Sequence, residues 1–278
     1  MQANPSQVLE ALIPSYIQLI AELGIQVSAG TDFAEFKEIC RDLPEKGNVG
    51  PAFDPDQPQP EKLNGFWFVG RRLDGEVVHT QAIKLISLSD TSLQKFLQQH
   101  SANLRVGGID IDVPRSPWTL TPAAQGINGP VTYHGELWLK GGPKGLRGGS
   151  AATLLTRLML ITALLKWSPD YMMGIQAAST SCRGLATREG YMRTEQGSVF
   201  WAPADGSAPI EGWLVWMSRV EAEFNLRLPP RSFFEMLEPK TKVPSRSTNR
   251  ISAPPTDIGS QIDNVSGKTA PLAEPLIE

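Results

Sequence analysis

A glycine-rich segment carries the groups best suited to chemistry. Residues 131–167 have the pattern of a strand, a turn that contains Lys144 and Arg147, and a strong helix. The turn holds Gly141, Gly142, Gly145, Gly148 and Gly149. In a strand–loop–helix arrangement, unpaired backbone N–H groups and the helix dipole converge where glycine lets a ligand approach. The pattern predicts a site for an anion such as phosphate, although glycines that only turn the chain fit it equally well.

Known motifs narrow this interpretation. A P-loop needs Lys followed by Ser or Thr after its last glycine, and neither that order nor GxGxxG is present. The stretch 148–152 nearly imitates a GxSxG nucleophile elbow, which would make Ser150 a nucleophile. An α/β-hydrolase needs its His after the Ser, however, and His79, His100 and His134 all precede it. Nucleotide hydrolysis is therefore disfavoured, and a Ser hydrolase is a third hypothesis.

The composition excludes several classes of protein. The chain has 278 residues, 41% hydrophobic residues and 10 Phe, 7 Trp and 4 Tyr, which is enough to build a core. A formal charge of -3 removes the positive field that nucleic-acid binding needs. Cys40 and Cys182 stand far apart without CxxC spacing, so no disulfide framework or zinc site is expected. The most apolar stretch, 154–165, is shorter than the ~20 residues of a membrane-spanning helix, so no membrane partner is expected. We expect a soluble, cytoplasmic protein without a signal peptide.

Strand and helix periods alternate along the chain, which favours a mixed α/β domain. The predicted helices are 8–23, which Pro14 kinks or splits, 33–43 with Asp32 as N-cap, 92–100, 152–167, 181–189 closed by Gly190, and a stretch ending at 226. The predicted strands are 25–28, a hairpin over 65–88 with an Asp74-Gly75 turn, 133–139, 170–178, 191–201 and 213–217. Residues 107–130 read as an irregular connection.

The chain divides into two parts by composition. From Pro239 onward, 40 residues contain six Pro and no aromatic residue, which predicts a disordered tail over 239–278. The tail is either a solvated extension or a segment that binds a partner. We expect residues 1–238 to form a single domain, with residues 1–24 as an N-terminal helical segment.

Two motifs resemble one family, the GNAT-type acyl-CoA N-acyltransferases. Arg147-Gly148-Gly149-Ser150-Ala151-Ala152 follows a strand and resembles the family's Arg or Gln, x, x, Gly, x, Gly or Ala loop. The stretch LATREGY at 185–191 resembles the family's helix that ends in Gly-Phe. Two positions depart from the pattern: Ser150 replaces the usual loop Gly, and Ala186 stands where the family often has a Tyr that protonates the leaving thiolate.

The resemblance implies a GNAT-like fold: a mixed, mostly antiparallel central sheet flanked by helices and splayed between the fourth and fifth strands. It implies acetyl-CoA or another acyl-CoA as co-substrate, with no metal. The backbone amides of 147–152 would bind the pyrophosphate, and the strand edge would pair with pantetheine amides. The residues implied in cofactor binding are Leu137, Trp138, Leu139, Arg147, Gly148, Gly149, Ser150, Ala151 and Ala152.

A base is needed because a protonated amine has no lone pair with which to attack. On a regular strand, His134 and Glu136 share one face with Thr132 and Trp138, about 7 Å apart along it. We predict Glu136 as the base, directly or through a water, and His134 as the second candidate, since its ordinary pKa of roughly 6.5 suits proton transfer. Both residues also fit a solvated face or a local hydrogen bond. His79 is expected to be a satisfied sheet residue.

The leading hypothesis is an N-acyltransferase that moves an acetyl or other acyl group from coenzyme A to a primary amine by direct attack in a ternary complex. The substrate would be a small-molecule or peptide amine, and a homodimer is left open. The alternative is a non-catalytic CoA-binding or regulatory module with the same fold, which Ala186 favours. Cys182 or a water would be the other sources of the thiolate's proton.

Overall fold

The computed structural model describes residues 4–44, 46–59, 62–104, 109–142 and 145–237. Within them, seven strands form one sheet in the order β1-β2-β3-β4-β5-β7-β6. The strands are β1 (Gln26–Gly30), β2 (Gly65–Arg71), β3 (Val77–Leu88), β4 (Gly129–Leu139), β5 (Tyr171–Ala177), β6 (Arg193–Trp201) and β7 (Ile210–Ser218). Neighbouring strands pair antiparallel except β4 and β5, which are parallel. The predicted mixed, mostly antiparallel sheet is confirmed.

Helices cover both faces of this sheet. They are α1 (Pro5–Glu22), α2 (Phe33–Arg41), α3 (Leu93–His100), α4 (Pro122–Gln125), α5 (Ala151–Trp167), α6 (Ala178–Ser181), α7 (Leu185–Glu189), α8 (Arg219–Leu226) and α9 (Pro230–Leu237), with short 3-10 helices at Ser101–Leu104 and Val113–Arg115. One buried cluster joins α1, α5 and α8 to the sheet, and a second joins α2, α3 and α4 to it. Helix α5 is buried nearly all round, which explains its continuous apolar sequence.

Local sequence signals place most elements correctly. The hairpin of β2 and β3 forms as predicted, with Gly75 at a positive φ of 88° in the turn. Asp32 caps α2, since its side chain accepts a hydrogen bond of 2.9 Å from the amide of Ala34. Gly190 closes α7 in the left-handed conformation, with a φ of 104°.

Two helices differ from their predictions. Of the two outcomes predicted for Pro14, a kink or a split, the split does not occur: α1 is one helix from Pro5 to Glu22. Its apolar face packs against α5, which offsets the roughly 3 kcal/mol that an interior proline costs. The helix predicted over 181–189 is instead two short helices, α6 and α7, separated by Gly184 at a φ of 75°. The predicted tail, 239–278, lies outside the described residues.

None of the helices in the described part of the chain combines the length and apolar character that crossing a bilayer requires. Over the same ranges, no group of three or more His, Cys, Asp or Glu side chains is arranged to hold a metal ion.

Candidate active site

A gap opens in the sheet between β4 and β5. The two strands pair from Val131 and Tyr171 to His134 and Gly174, and the pairing stops there. Strand β4 continues to Leu139 along β3, whereas β5 continues along β7. Each strand thus keeps its outer neighbour while separating from the other, so residues 135–139 present a strand edge without a β5 partner. The predicted splay between the fourth and fifth strands is confirmed.

A β-bulge shapes the β4 side of this gap. Ala82 lies opposite Gly135 and Thr80 opposite Trp138, so β4 has one residue more than β3 across this step. Glu136 lies in the bulge with a φ of 56°, a left-handed conformation that costs a non-glycine residue of order 1–3 kcal/mol. The hydroxyl of Thr80 donates a hydrogen bond of 3.0 Å to the carbonyl oxygen of Glu136 and holds the bulge in place.

The bulge also changes the direction of the Glu136 side chain. Its carboxylate contacts the loop that contains Gly50 and Phe53, and Phe53 stacks on Tyr133. Glu136 therefore lies on the face of Tyr133, and the prediction that it shares a face with His134 is wrong. Side chains alternate between the two faces of a regular strand, and the extra residue of a bulge interrupts that alternation.

Both carboxylate oxygens of Glu136 have partners. Lys46 Nζ lies 2.5 Å from Oε2, and the backbone amide of Gly50 donates to Oε1 at 2.9 Å. The Lys46 and Glu136 side chains are only 6% and 11% exposed. This buried ion pair fastens the loop after α2 to the bulge.

His134 is buried in a chain of hydrogen bonds. The Gln81 amide donates to the carbonyl oxygen of Leu155 at 2.8 Å, so the Gln81 side-chain oxygen is left to accept from His134 Nε2 at 3.1 Å. The hydroxyl of Tyr191 then donates to His134 Nδ1 at 3.3 Å. Burial lowers the pKa of His134 to about 4, so the ring is neutral at pH 7. The expectation of an ordinary His pKa at this position is wrong, because the sequence did not show how deeply the ring is buried.

His79 does not have the partners that were expected of it. Both of its ring nitrogens are buried and make no hydrogen bond to any described residue. Burial is also the main reason that its pKa falls to about 3, with a smaller contribution from His134. The prediction of a satisfied sheet residue is wrong, since this ring is enclosed by the apolar core rather than by polar partners.

A cavity of about 350 Å³ occupies the wide end of the gap; we call it the acceptor cavity. It is lined by Lys46, Asn48, His134, Gly135, Glu136, Leu137, Trp138, Gly174, Ile175, Gln176, Ala177, Thr180, Leu185, Glu189, Tyr191 and Val215. Both predicted base residues lie here. Sequence reasoning missed Gln176, Glu189 and Tyr191, and a Glu in a short helix carries no local signal of burial.

A second cavity, of about 570 Å³, lies between β4 and the N-terminus of α5; we call it the cationic cavity. It is lined by Leu137, Trp138, Leu139, Arg147, Gly148, Ala152, Thr180, Arg183, Leu185 and Arg188. Six of the nine predicted cofactor residues therefore line it, whereas Gly149, Ser150 and Ala151 are not among its described lining residues. Arg183 and Arg188 add positive charge that the loop motif did not predict.

The glycine-rich loop is tied down at one end and open at the other. The amides of Gly145 and Leu146 donate to the carbonyl oxygens of Gly142 and Lys140, each at 2.9 Å. Arg147 Nε donates to the carbonyl oxygen of Leu139 at 2.9 Å and joins the loop to β4. By contrast, the amides of four residues in or next to the loop make no hydrogen bond to the described residues: Gly148, Gly149, Ala151 and Ala152. Lys144 lies outside the described residues.

Ser150 is fully buried at the N-cap of α5. A nucleophile elbow presents its Ser to the substrate, so the burial argues against the Ser hydrolase hypothesis.

Trp138 lies where the two cavities meet. Leu137, Trp138, Thr180 and Leu185 line both cavities, which are therefore adjacent. The indole Nε1 of Trp138 is buried and has no hydrogen-bond partner among the described residues. A buried donor without a partner costs about 1–3 kcal/mol.

No protein-family model matches the sequence, and no curated protein matches it either. Among solved structures, the chain is similar to NAA60 of Arabidopsis thaliana in complex with acetyl-CoA, at 13% identity and a TM-score of 0.41 over 70% of this chain and 98% of that one. It is also similar to an aminoglycoside acetyltransferase in complex with coenzyme A and kanamycin, at 11% identity and a TM-score of 0.38. That match covers 72% of this chain and 98% of the other. A spermidine/spermine N-acetyltransferase from Vibrio cholerae is similar at 8% identity and a TM-score of 0.39, over 71% of this chain and 94% of the other.

Proposed function

We propose that this chain is an N-acyltransferase that moves an acetyl or other acyl group from coenzyme A to a primary amine by direct attack in a ternary complex. One observation carries the proposal: the gap between β4 and β5 joins a cationic cavity at the N-terminus of α5 to a cavity that contains carboxylates. Such a gap lets a long, partly anionic cofactor reach an amine from the opposite side of the sheet.

The residues present fit acyl-CoA. Arg147, Arg183 and Arg188, with the unbonded amides at the start of α5, suit a diphosphate. The edge of β4 that β5 leaves unpaired suits the amide groups of pantetheine. Bound acyl-CoA would supply an acyl group activated as a thioester, and the chain would orient it and exclude water.

The acceptor cavity supports roles for both predicted base residues. We propose that Glu136, through its ion pair with Lys46, keeps the cavity wall in place. That Glu136 also accepts the amine's proton stays a prediction. His134 holds the Tyr191 hydroxyl at the narrow end of the gap, next to Gly174.

The source of the thiolate's proton differs from the family pattern. Ala186 is buried and has no proton to give. Cys182 is exposed and is not among the described lining residues of either cavity. Tyr191 places a phenol in the acceptor cavity, and we propose it, or a water beside it, as the proton donor.

Calorimetry with coenzyme A tests the cofactor. We expect binding in the wild type and its loss in Arg147→Glu, which puts a carboxylate into the cationic cavity. Arg227→Glu makes the same charge change on an exposed Arg that stacks on Phe224, away from either cavity, and should bind as the wild type does. Absence of CoA binding by the wild type at millimolar concentration would refute the proposal.

Thiol release from acetyl-CoA in the presence of primary amines tests catalysis. CoA binding without thiol release across a broad amine panel would instead support the non-catalytic module, which the buried Ala186 favours.

A further inference from the structure

Glu189 is a buried carboxyl group at the edge of the acceptor cavity. It is the last residue of α7, its exposure is 2%, and it lines the cavity. Gln176 Nε2 donates to its Oε2 at 2.5 Å. Ser181 Oγ donates to Gln176 Oε1 at 2.6 Å, which fixes the Gln176 amide with its NH₂ group towards Glu189. The carboxyl group is therefore held in one orientation by neutral groups.

Glu189 has no cationic partner within the described ranges. Lys46 is paired with Glu136, and Oε1 of Glu189 receives no hydrogen bond from the residues that the structure describes. Burial raises the pKa of Glu189 to about 8, while the Gln176 hydrogen bond and the charge of Arg188 act in the opposite direction. A buried carboxylate without a cation is unfavourable, so this position attracts one.

The other charged or titratable groups around Glu189 do not fill this role. They are Lys46, His134, Glu136, Arg157, Arg188 and Tyr191. Arg157 donates to the carbonyl and side-chain oxygens of Asn225, and His134 is neutral. Arg188 acts on Glu189 as a charge without an ion pair between them, and it lines the cationic cavity instead.

We propose that Glu189 binds the ammonium group of the acceptor and takes its proton, and that acceptors are primary amines that enter as cations on an apolar stem. The stem would lie along Ile175, Leu185 and Val215, which line the same cavity. This inference rests on the proposed function and adds the residue that recognises the amine.

Acyl transfer from the thioester to the amine conserves protons and electron pairs. One proton moves from the ammonium nitrogen to a Glu189 carboxylate oxygen, and the amine lone pair is freed to attack the thioester carbon. The C–N bond forms and the C–S bond breaks, the sulfur leaving with the electron pair of that bond. The thiolate takes a proton from Tyr191 or from the water beside it, and that donor takes the second proton from nitrogen. Glu189 returns its proton to water, so the net products are amide, thiol and one proton.

Binding of small amines is the first test. The CoA-loaded protein is heated at pH 9, above the pKa of Glu189, with n-butylamine or benzylamine, and n-butanol serves as the neutral isostere. We expect at least one amine to raise the melting temperature and n-butanol not to. Glu189→Gln keeps an oxygen for Gln176 but removes the charge, so it should abolish the rise in melting temperature. Glu10→Gln makes the same change at an exposed position of α1 and should keep that rise.

The rate of thiol release against pH is the second test. In Glu189→Gln the amine must lose its proton in solution, near its own pKa of ~10.5. We expect kcat/KM to fall about 100-fold or more at pH 7 and less than tenfold at pH 10. Glu136→Gln, at the same cavity, should retain the inflection near pH 8 that Glu189 causes.

The outcomes separate this inference from the proposed function. It is overturned if neither amine protects the wild type, or if Glu189→Gln keeps the protection or the wild-type pH profile. The acyltransferase proposal itself fails if the wild type does not bind CoA, or if it binds CoA but releases no thiol with any amine of a broad panel. CoA affinity also reports that each variant is folded. If Glu189→Gln loses its CoA affinity, Glu189→Asp replaces it in the test. The Asp side chain keeps the charge but is one methylene shorter, so this variant should bind the amine more weakly than the wild type.

Discussion

Glu189→Gln should make the protein more stable at neutral and alkaline pH. The pKa of Glu189 is about 8 in the folded state against an ordinary value of 4.5. A raised carboxyl pKa means that the folded state holds the proton more tightly than the unfolded state does. The stability that this proton confers is complete below about pH 4.5 and is lost as the pH rises through the folded value. Gln carries no such proton, so the variant does not suffer this loss.

The magnitude follows from the two pKa values. Each unit of pH between 4.5 and 8 lowers the free energy of unfolding of the wild type by roughly 1.4 kcal/mol relative to the variant. At pH 7 the difference is about 3 kcal/mol, a large fraction of the 5–15 kcal/mol that stabilises an ordinary domain. The Gln side chain keeps the Gln176 hydrogen bond, so little opposes the gain.

Urea unfolding at pH 6 and pH 8 measures this effect, with Glu10→Gln as the matched control. We expect the advantage of Glu189→Gln to grow by about 2 kcal/mol between these two pH values. Glu10→Gln should track the wild type at both, because its carboxylate is exposed. A difference that stays constant with pH, or a variant that is less stable at pH 8, would refute the reasoning and would indicate that Glu189 is a structural carboxylate.

Three further perturbations have definite expected results. The buried His79 and His134 have folded pKa values of about 3 and 4, below the ordinary 6.5, so stability should be complete above pH 6.5 and fall as the pH drops towards 4. His79→Leu should remove roughly 1.4 kcal/mol per pH unit of that fall in acid titrations followed by circular dichroism. Trp138→Phe removes a buried N–H that has no partner among the described residues, so the melting temperature should rise, or at least not fall, in thermal unfolding followed by circular dichroism. Lys46→Met leaves Glu136 buried without its partner and should cost about 3 kcal/mol in urea unfolding, much of which Lys46→Met with Glu136→Gln should restore.

Signals that act within a few residues predicted the framework. The Asp74-Gly75 turn, the Asp32 N-cap and Gly190 each work through their own backbone, so the hairpin and the helix ends appear where the sequence places them. The loop that starts at Arg147 follows a strand and opens a helix as its motif requires. Six of the nine residues assigned to the cofactor consequently line one cavity.

The chemistry of the acceptor cavity depends on contacts between residues far apart in sequence. The bulge that turns Glu136 towards Lys46 is an insertion relative to β3, and its partner lies 90 residues earlier in the chain. Glu189 is buried only because α7 packs beside β5 and α5, and nothing in its own short helix distinguishes it from an exposed Glu. The sequence predicts His134 as a candidate base, but burial lowers the pKa of its ring, and the alternation of residues along a strand does not reveal that burial.

Three unfavourable features surround the same gap. Glu136 adopts a left-handed backbone conformation. Among the residues that the structure describes, the buried Trp138 Nε1 has no acceptor and the buried Glu189 carboxyl group has no cation. Each costs on the order of 1–3 kcal/mol, and each would disappear through a single substitution such as Gly, Phe or Gln. A chain selected only for stability has no reason to keep all three around one opening. The position of Glu189 beside this opening is explained if a ligand with a positive charge binds in the gap, as an amine would.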